Sequence, residues 1–178
     1  MPKVIPEGFT LLVGAPKIGK SWMALAVALA VASGGVAFGG IPVGDPRPVL
    51  LIAPEDSDRR MQDCIRKLWP DGHGSWPPYL DYFTEIEPGQ VIATINAWLE
   101  ELPPNTKPLV ILDTVGKILP RELPGESQYQ RDYRISGLLK RVCDQRRGTG
   151  LIGLPRPKVN RRRLCSHNLQ HPRSRRGS

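Results

Sequence analysis

The sequence predicts an α/β domain built on an open, mostly parallel β-sheet with helices on both faces. Three observations predict it. Short, almost wholly apolar runs recur along the 178 residues, at Phe9–Val13, Pro48–Ala53 and Pro108–Leu112, and such runs suit parallel strands buried on both faces. Segments of helical character separate them, the alternation that places crossover helices over a parallel sheet. Each run also ends in chemically loaded residues: a Gly-rich loop, the pair Glu55-Asp56, and Asp113. Ligands bind beyond the carboxyl ends of the strands in sheets of this kind.

The elements follow in order. Phe9–Val13 reads as a strand, and Ser21–Ser33, rich in Ala and Leu, as a helix. A connection punctuated by Gly34-Gly35, Gly39-Gly40 and Pro42 leads to the strand Pro48–Ala53. Ser57 is placed to cap a helix running to about Trp69, followed by a Pro/Gly/Trp-rich loop, Pro70–Pro78. Tyr82–Ile86 reads as a strand and Val91–Leu102 as a helix with apolar residues at Val91, Ile92, Ile95, Trp98, Leu99 and Leu102. After the strand ending at Leu112, residues Gly116–Gln128 read as loop, Tyr129–Gln145 as helix and Gly148–Leu154 as a further strand. No internal repeat is present.

The loop after the first strand, Gly14-Ala-Pro-Lys-Ile-Gly-Lys-Ser21, fits the pattern Gly, four residues, Gly-Lys-Ser/Thr, the phosphate-binding loop. At average residue usage a chain of this length meets the pattern by accident on the order of once in a few hundred cases. Its position between strand and helix is the one the chemistry needs. Gly14 and Gly19 are expected to take positive φ and let backbone N–H groups approach an anion at the positive end of the helix. Lys20 is then placed to reach the β- and γ-phosphates, and Ser21 to ligate Mg²⁺. The whole loop, Gly14, Ala15, Pro16, Lys17, Ile18, Gly19, Lys20 and Ser21, together with the adjoining Trp22, is the expected nucleotide-binding segment. ATP and Mg²⁺ are the expected ligands.

Asp113 follows four apolar residues, "LVILD", where a carboxylate would hold Mg²⁺ or one of its waters. Glu55 offers a carboxylate to activate an attacking water, which favours hydrolysis over transfer to an acceptor hydroxyl. Glu55 and Asp56 also read as an acid pair ahead of a helix. Arg59 and Arg60 read as solvated helix charges or as phosphate contacts.

The segments "TLLVGAPKIGKSWMALAVALAVASGG", "VLLIAPEDSDRRMQDCIRKL", "LVILDTVGKI" and "YQRDYRISGLLKRVCD" resemble the RecA-like ATPases of plasmid and phage replication, the RepA-type hexameric helicase group. The resemblance implies a RecA-like P-loop NTPase core, ATP with Mg²⁺, a ring-shaped homohexamer and single-stranded DNA as polymer. In that family the glutamate matching Glu55 is the catalytic base, and Asp113 matches the magnesium-site acid. The resemblance stops at Leu154. The family continues with a His-rich motif followed by Arg-Lys, a Gly/Thr segment and further strands, and "PRPKVNRRRLCSHNLQHPRSRRGS" contains none of them.

Composition divides the chain at the same place. The stretch Pro155–Ser178 holds eight basic residues and no acid, so the remainder balances 17 basic against 17 acidic residues and the net charge of +8 belongs to the tail. Rich in Arg, Pro, Ser and Asn and lacking periodicity, the tail reads as disordered. The expected organisation is therefore a partial RecA-like core over 1–154, incomplete at its C-terminus, and a basic tail over 155–178 of frameshifted or truncated origin. Such a chain is expected to turn ATP over slowly and to form no stable ring. Two other readings stay open: a nucleic-acid-binding protein acting through the tail, and a small-molecule kinase on the same loop. Cys64, Cys143 and Cys165 are odd in number and far apart, which argues for a reducing compartment. Ser21–Gly44 carries no charge, but Gly34-Gly35, Gly39-Gly40 and Pro42 argue against a membrane span. A soluble, cytoplasmic protein is expected.

Overall fold

The computed structural model describes residues 8–15, 17–69, 76–87, 89–114, 123–145 and 149–155. Pro16, most of the expected loops Pro70–Pro78 and Gly116–Gln128, and the tail beyond Pro155 lie outside the described residues. The elements run β1 (Gly8–Gly14), α1 (Lys20–Ser33), β2 (Val36–Ala37), β3 (Ile41–Pro42), β4 (Val49–Ile52), α2 (Asp58–Leu68), β5 (Leu80–Phe83), α3 (Val91–Glu101), β6 (Leu109–Asp113), α4 (Gln128–Gln145) and β7 (Thr149–Pro155).

Five strands form one parallel sheet in the order β1-β7-β6-β4-β5. The strand carrying the glycine loop and the strand ending in Asp113 are thus not neighbours. β7 lies between them, pairing Leu12 with Gly153 on one side and Asp113 with Gly153 on the other.

The apolar runs are explained by the two cores they serve. Side chains alternate along a strand. Val49, Leu51, Leu109 and Ile111 therefore join the core beneath α1 and α2, while Leu50, Ile52, Val110 and Leu112 join the one beneath α3 and α4. A polar residue at any of these positions would be buried without a partner, at a cost of a few kcal/mol. Helices on both faces of a mostly parallel sheet are the expected architecture, and the arrangement is that of a RecA-like P-loop domain.

α1 is buried nearly all round, through Ala24, Leu25 and every residue from Val27 to Ala32, and it packs on β4, β6 and β7 as well as on α2. That burial, rather than lipid, accounts for the uncharged run. At 14 residues the helix spans roughly 21 Å, short of the roughly 30 Å of a bilayer core. Among the described residues no helix is long and apolar enough to cross a membrane.

Two local features differ from the sequence reading. The connection after α1 contains a small antiparallel hairpin, β2 with β3, whose two-residue strands leave no readable periodicity. The strand expected at Tyr82–Ile86 sits earlier, at Leu80–Phe83. Pairing decides this, because β4 offers partners only from Val49 to Ile52 and aligns Val49 with Leu80 and Ile52 with Phe83. The strand is then tied down by its polar side chains, Asp81 accepting from Trp98 Nε1 at 2.7 Å.

α4 begins with a reciprocal cap. The Ser127 hydroxyl accepts from the Gln130 N–H at 3.3 Å, and the Gln130 side chain accepts from the Ser127 N–H at 2.8 Å, the capping-box arrangement. Arg134 grips Glu126 through two bonds of 2.8 and 2.9 Å, fixing the approach to the helix.

α1 ends at Gly34, whose φ of 70° and N–H bond to Ala30 O close the helix. A Cβ there would lie 2.6 Å from Pro46 Cδ. Gly34→Ala is therefore expected to destabilise the fold by more than ~1 kcal/mol. Gly40→Ala, at a position with open space around it, should change stability by less than ~0.5 kcal/mol. Urea unfolding of the two variants checks the contrast, and equal midpoints would contradict it.

Candidate nucleotide-binding site

The loop after β1 has the conformation an anion cradle needs at its end. Gly19, the N-cap of α1, has φ 92° and ψ 15°, a left-handed conformation that costs a non-glycine residue roughly 1–2 kcal/mol. The positive φ expected at Gly14 is found instead at Lys17, with φ 65°. Gly14 is closely approached by side chains: a Cβ there would meet Ile18 Cγ2 at 3.2 Å and Lys20 Cδ at 3.4 Å. The Gly19 cap makes no side-chain hydrogen bond and no acid lies in the first turn, so its N–H groups keep their affinity for an anion.

Lys20 is folded over this loop. Its ammonium donates to the carbonyls of Gly14 at 3.3 Å and Ala15 at 3.1 Å. Ile18 projects outward, 67 % exposed, so its contribution to a ligand would come from its backbone. Trp22, on the next helical residue, is partly exposed and lines a cleft with Ser21, Asp56, Arg60 and Asp113.

Asp113 is the buried acid of that cleft, 5 % exposed at the last residue of β6. The Ser21 side chain shares its cleft and favours its charged form, while its Oδ1 is buried and has no hydrogen-bond partner among the described residues. Loss of water on burial pushes its carboxyl above the ordinary aspartate range; the Ser21 side chain opposes this, Asp56 and Glu55 add to it by repulsion, and Lys20 opposes it. A hydroxyl and a carboxylate with a free oxygen are hard donors suited to Mg²⁺, which binds through one or two carboxylates, waters and substrate phosphates. Among the described residues no three His, Cys, Asp or Glu side chains are grouped as a metal cage of their own. The donor set thus fits an ion shared with a phosphate ligand.

Glu55 lies in the turn between β4 and α2 and accepts from Thr114 Oγ1 at 2.8 Å. The buried Thr114 thereby fixes an exposed carboxylate from a neighbouring strand. Sequence reading missed this residue. Its only signal was its position directly after Asp113. Also unforeseen is the pairing of Arg60 Nε with Asp56 Oδ1 at 3.1 Å, although the spacing of four residues at a helix start was visible.

The structure therefore gathers Lys20, Ser21, Glu55 and Asp113 at the carboxyl edge of β1, β4 and β6. A family model described as AAA domain matches residues 1–152. The chain belongs to this family. It is a P-loop ATPase by that membership, and ATP binding is the property its AAA domain carries. No curated protein matches the chain.

The strained carboxylate of the AAA domain gives a stability prediction. With its folded value raised, Asp113 holds a proton more tightly in the folded than in the unfolded chain, so its contribution to stability falls as pH rises from the ordinary aspartate range through the raised value. Asp113→Asn removes the charge and keeps the shape. At pH 7 its thermal midpoint should exceed the parent's by roughly 2–4 °C, about 1 kcal/mol for a chain of this size. The difference should vanish in acid, where the parent is protonated, and equal midpoints at pH 7 would contradict the stated strain.

Proposed function

We propose that this chain hydrolyses ATP with Mg²⁺ as a RecA-like ATPase related to the replicative helicases of plasmids and phages, with single-stranded DNA as its polymer. The observation that carries the reading is the convergence of four groups with separate roles. Lys20 and the N–H groups of the loop would bind the phosphates. Mg²⁺ held by Ser21 and Asp113 would neutralise charge on the phosphate oxygens. Glu55, oriented by Thr114, would take the proton of the attacking water. Trp22, beside the loop, would contact the nucleotide.

Two features of the site support hydrolysis over transfer to a small acceptor. Glu55 is exposed, so water reaches it freely. The carboxylate is also held by a hydrogen bond to a neighbouring strand, as a group that must aim at a water requires. The ring-shaped hexamer and the DNA partner rest on the resemblance of the motif segments alone.

A second reading rests on the basic composition of residues 156–178, which hold eight Arg or Lys and no acid. Such a segment binds nucleic acid through phosphates without sequence preference and with strong salt dependence. Because Pro155 is part of β7, the deletion that separates the readings begins at residue 156.

Titration with a fluorescent ATP analogue should show Lys20→Ala losing nucleotide affinity, while Glu55→Gln binds as the parent does. Phosphate release should fall roughly 10²-fold or more in Glu55→Gln, the scale of general-base catalysis. Unchanged affinity in Lys20→Ala would overturn the loop assignment, and unchanged turnover in Glu55→Gln the assignment of the base. Measured with and without single-stranded DNA, turnover that ignores DNA while a small acceptor becomes phosphorylated would favour the kinase.

A further inference from the structure

Asp56 has no role in the reading above, yet it stands in the same cleft as Ser21 and Asp113. Its side chain is only 12 % exposed, and its charge presses on Asp113. The side-chain partner the structure gives it is Arg60, four residues on and across the first turn of α2, with Nε at 3.1 Å from Oδ1. The Arg60 side chain is 58 % exposed. An ion pair with one well-hydrated partner is weak and readily exchanged. The same cleft holds a buried oxygen, Asp113 Oδ1, with no hydrogen-bond partner among the described residues.

These positions define a half-satisfied charge cluster. Asp113 has a spare oxygen and a deficit of water, and Asp56 adds a second negative charge at the mouth, balanced by a guanidinium. The acids are not grouped closely enough to form a cage of side chains, so Asp56 is placed for the outer shell, where an acceptor holds cation-bound water.

Resting on the reading of Ser21 and Asp113 as a cation site, we propose that Asp56 is its outer-shell acid and that Arg60 is a built-in counter-ion, occupying Asp56 until a divalent cation with nucleotide takes its place. Arg60 is then a positioning residue that acts through Asp56. The guanidinium released from Asp56 remains at the cleft mouth, beside the phosphate-bearing end of the site. Its competition with the cation sets how much Mg²⁺ the site needs.

Mn²⁺ binding to the full chain with a non-hydrolysable ATP analogue, followed by electron paramagnetic resonance, tests this without turnover. Asp56→Asn should weaken Mn²⁺ roughly 10-fold or more, as loss of an outer-shell partner does. Arg60→Gln should tighten it roughly 1.5- to 5-fold, the range that release of a weak exposed pair allows. In the Asp56→Asn background Arg60→Gln should then have no further effect. Asp113→Asn serves as the control. If it weakens Mn²⁺ while Asp56→Asn does not, the outer-shell role is overturned and the cation site stands. If Asp113→Asn also changes nothing, the cation site itself falls and both roles fall with it. Looser binding in Arg60→Gln, or an equal effect with and without Asp56, would overturn the counter-ion role. Arg60 is a surface residue, so its variant decides the counter-ion role even if Asp56→Asn folds poorly.

Discussion

The meeting of Ser21 and Asp113 in one cleft joins the two halves of this site, and the path of α1 makes it possible. β1, which leads into Ser21 at the start of α1, and β6, which ends in Asp113, are separated by β7, so neither sheet pairing nor chain proximity brings the groups together. α1 does so. It leaves β1 at the carboxyl edge and crosses β7, β6 and β4, which puts its first turn over the end of β6. The all-round burial of α1 holds that crossing in place: a helix with apolar contacts on every side cannot slide or rotate without opening cavities, each costing in proportion to the volume left empty.

The same geometry makes the site unstable on its own terms. An acid at the last residue of a strand buried on both faces has lost most of its water, and two further carboxylates stand near it. The Ser21 hydroxyl and the Lys20 ammonium offset part of this, but one Asp113 oxygen stays without a partner. Natural chains keep such groups where function needs them and rely on the surrounding fold for the balance. Here the balance comes from two apolar cores on either side of β4 and β6.

Most of this is legible in the sequence because the relevant signals are local. Val49–Ile52 and Leu109–Asp113 are too short and too apolar to be anything but buried strands between turn signals. The Gly-Lys-Ser triplet marks the start of α1 independently of any contact. What the sequence hides is tertiary. β5 lies two residues earlier than its own pattern suggests, because its limits are set by the partners β4 offers. Gly14 looks conformational in sequence but has no positive φ, and only the fold shows Ile18 and Lys20 drawn close to it. Thr114 is invisible as a partner of Glu55 for the same reason: 59 residues separate them, and nothing in either segment signals the other. The pairing of Asp56 with Arg60 is the intermediate case, readable as helical spacing but not as part of a cleft.

The turn between β4 and α2 shows how precision reaches residues that are not themselves in regular structure. Glu55 and Asp56 occupy a segment of a few residues whose two ends are fixed. At one end the Ala53 N–H donates to Phe83 O at 2.8 Å, extending the pairing with β5, and the Asp56 N–H returns to Ala53 O at 3.0 Å. At the other, the Ser57 side chain caps α2 by accepting from the Arg60 N–H at 3.4 Å. The Thr84 hydroxyl donates to Asp58, tying the first turn of α2 to the end of β5. A turn clamped this closely leaves its two acids little freedom beyond their side-chain rotamers, and rigid elements around a site keep its groups within the tolerance that chemistry requires. Arg60 differs. It belongs to the clamped helix by its backbone but carries its charge into water, so its side chain is freer to move than the half-buried Asp56 it pairs with.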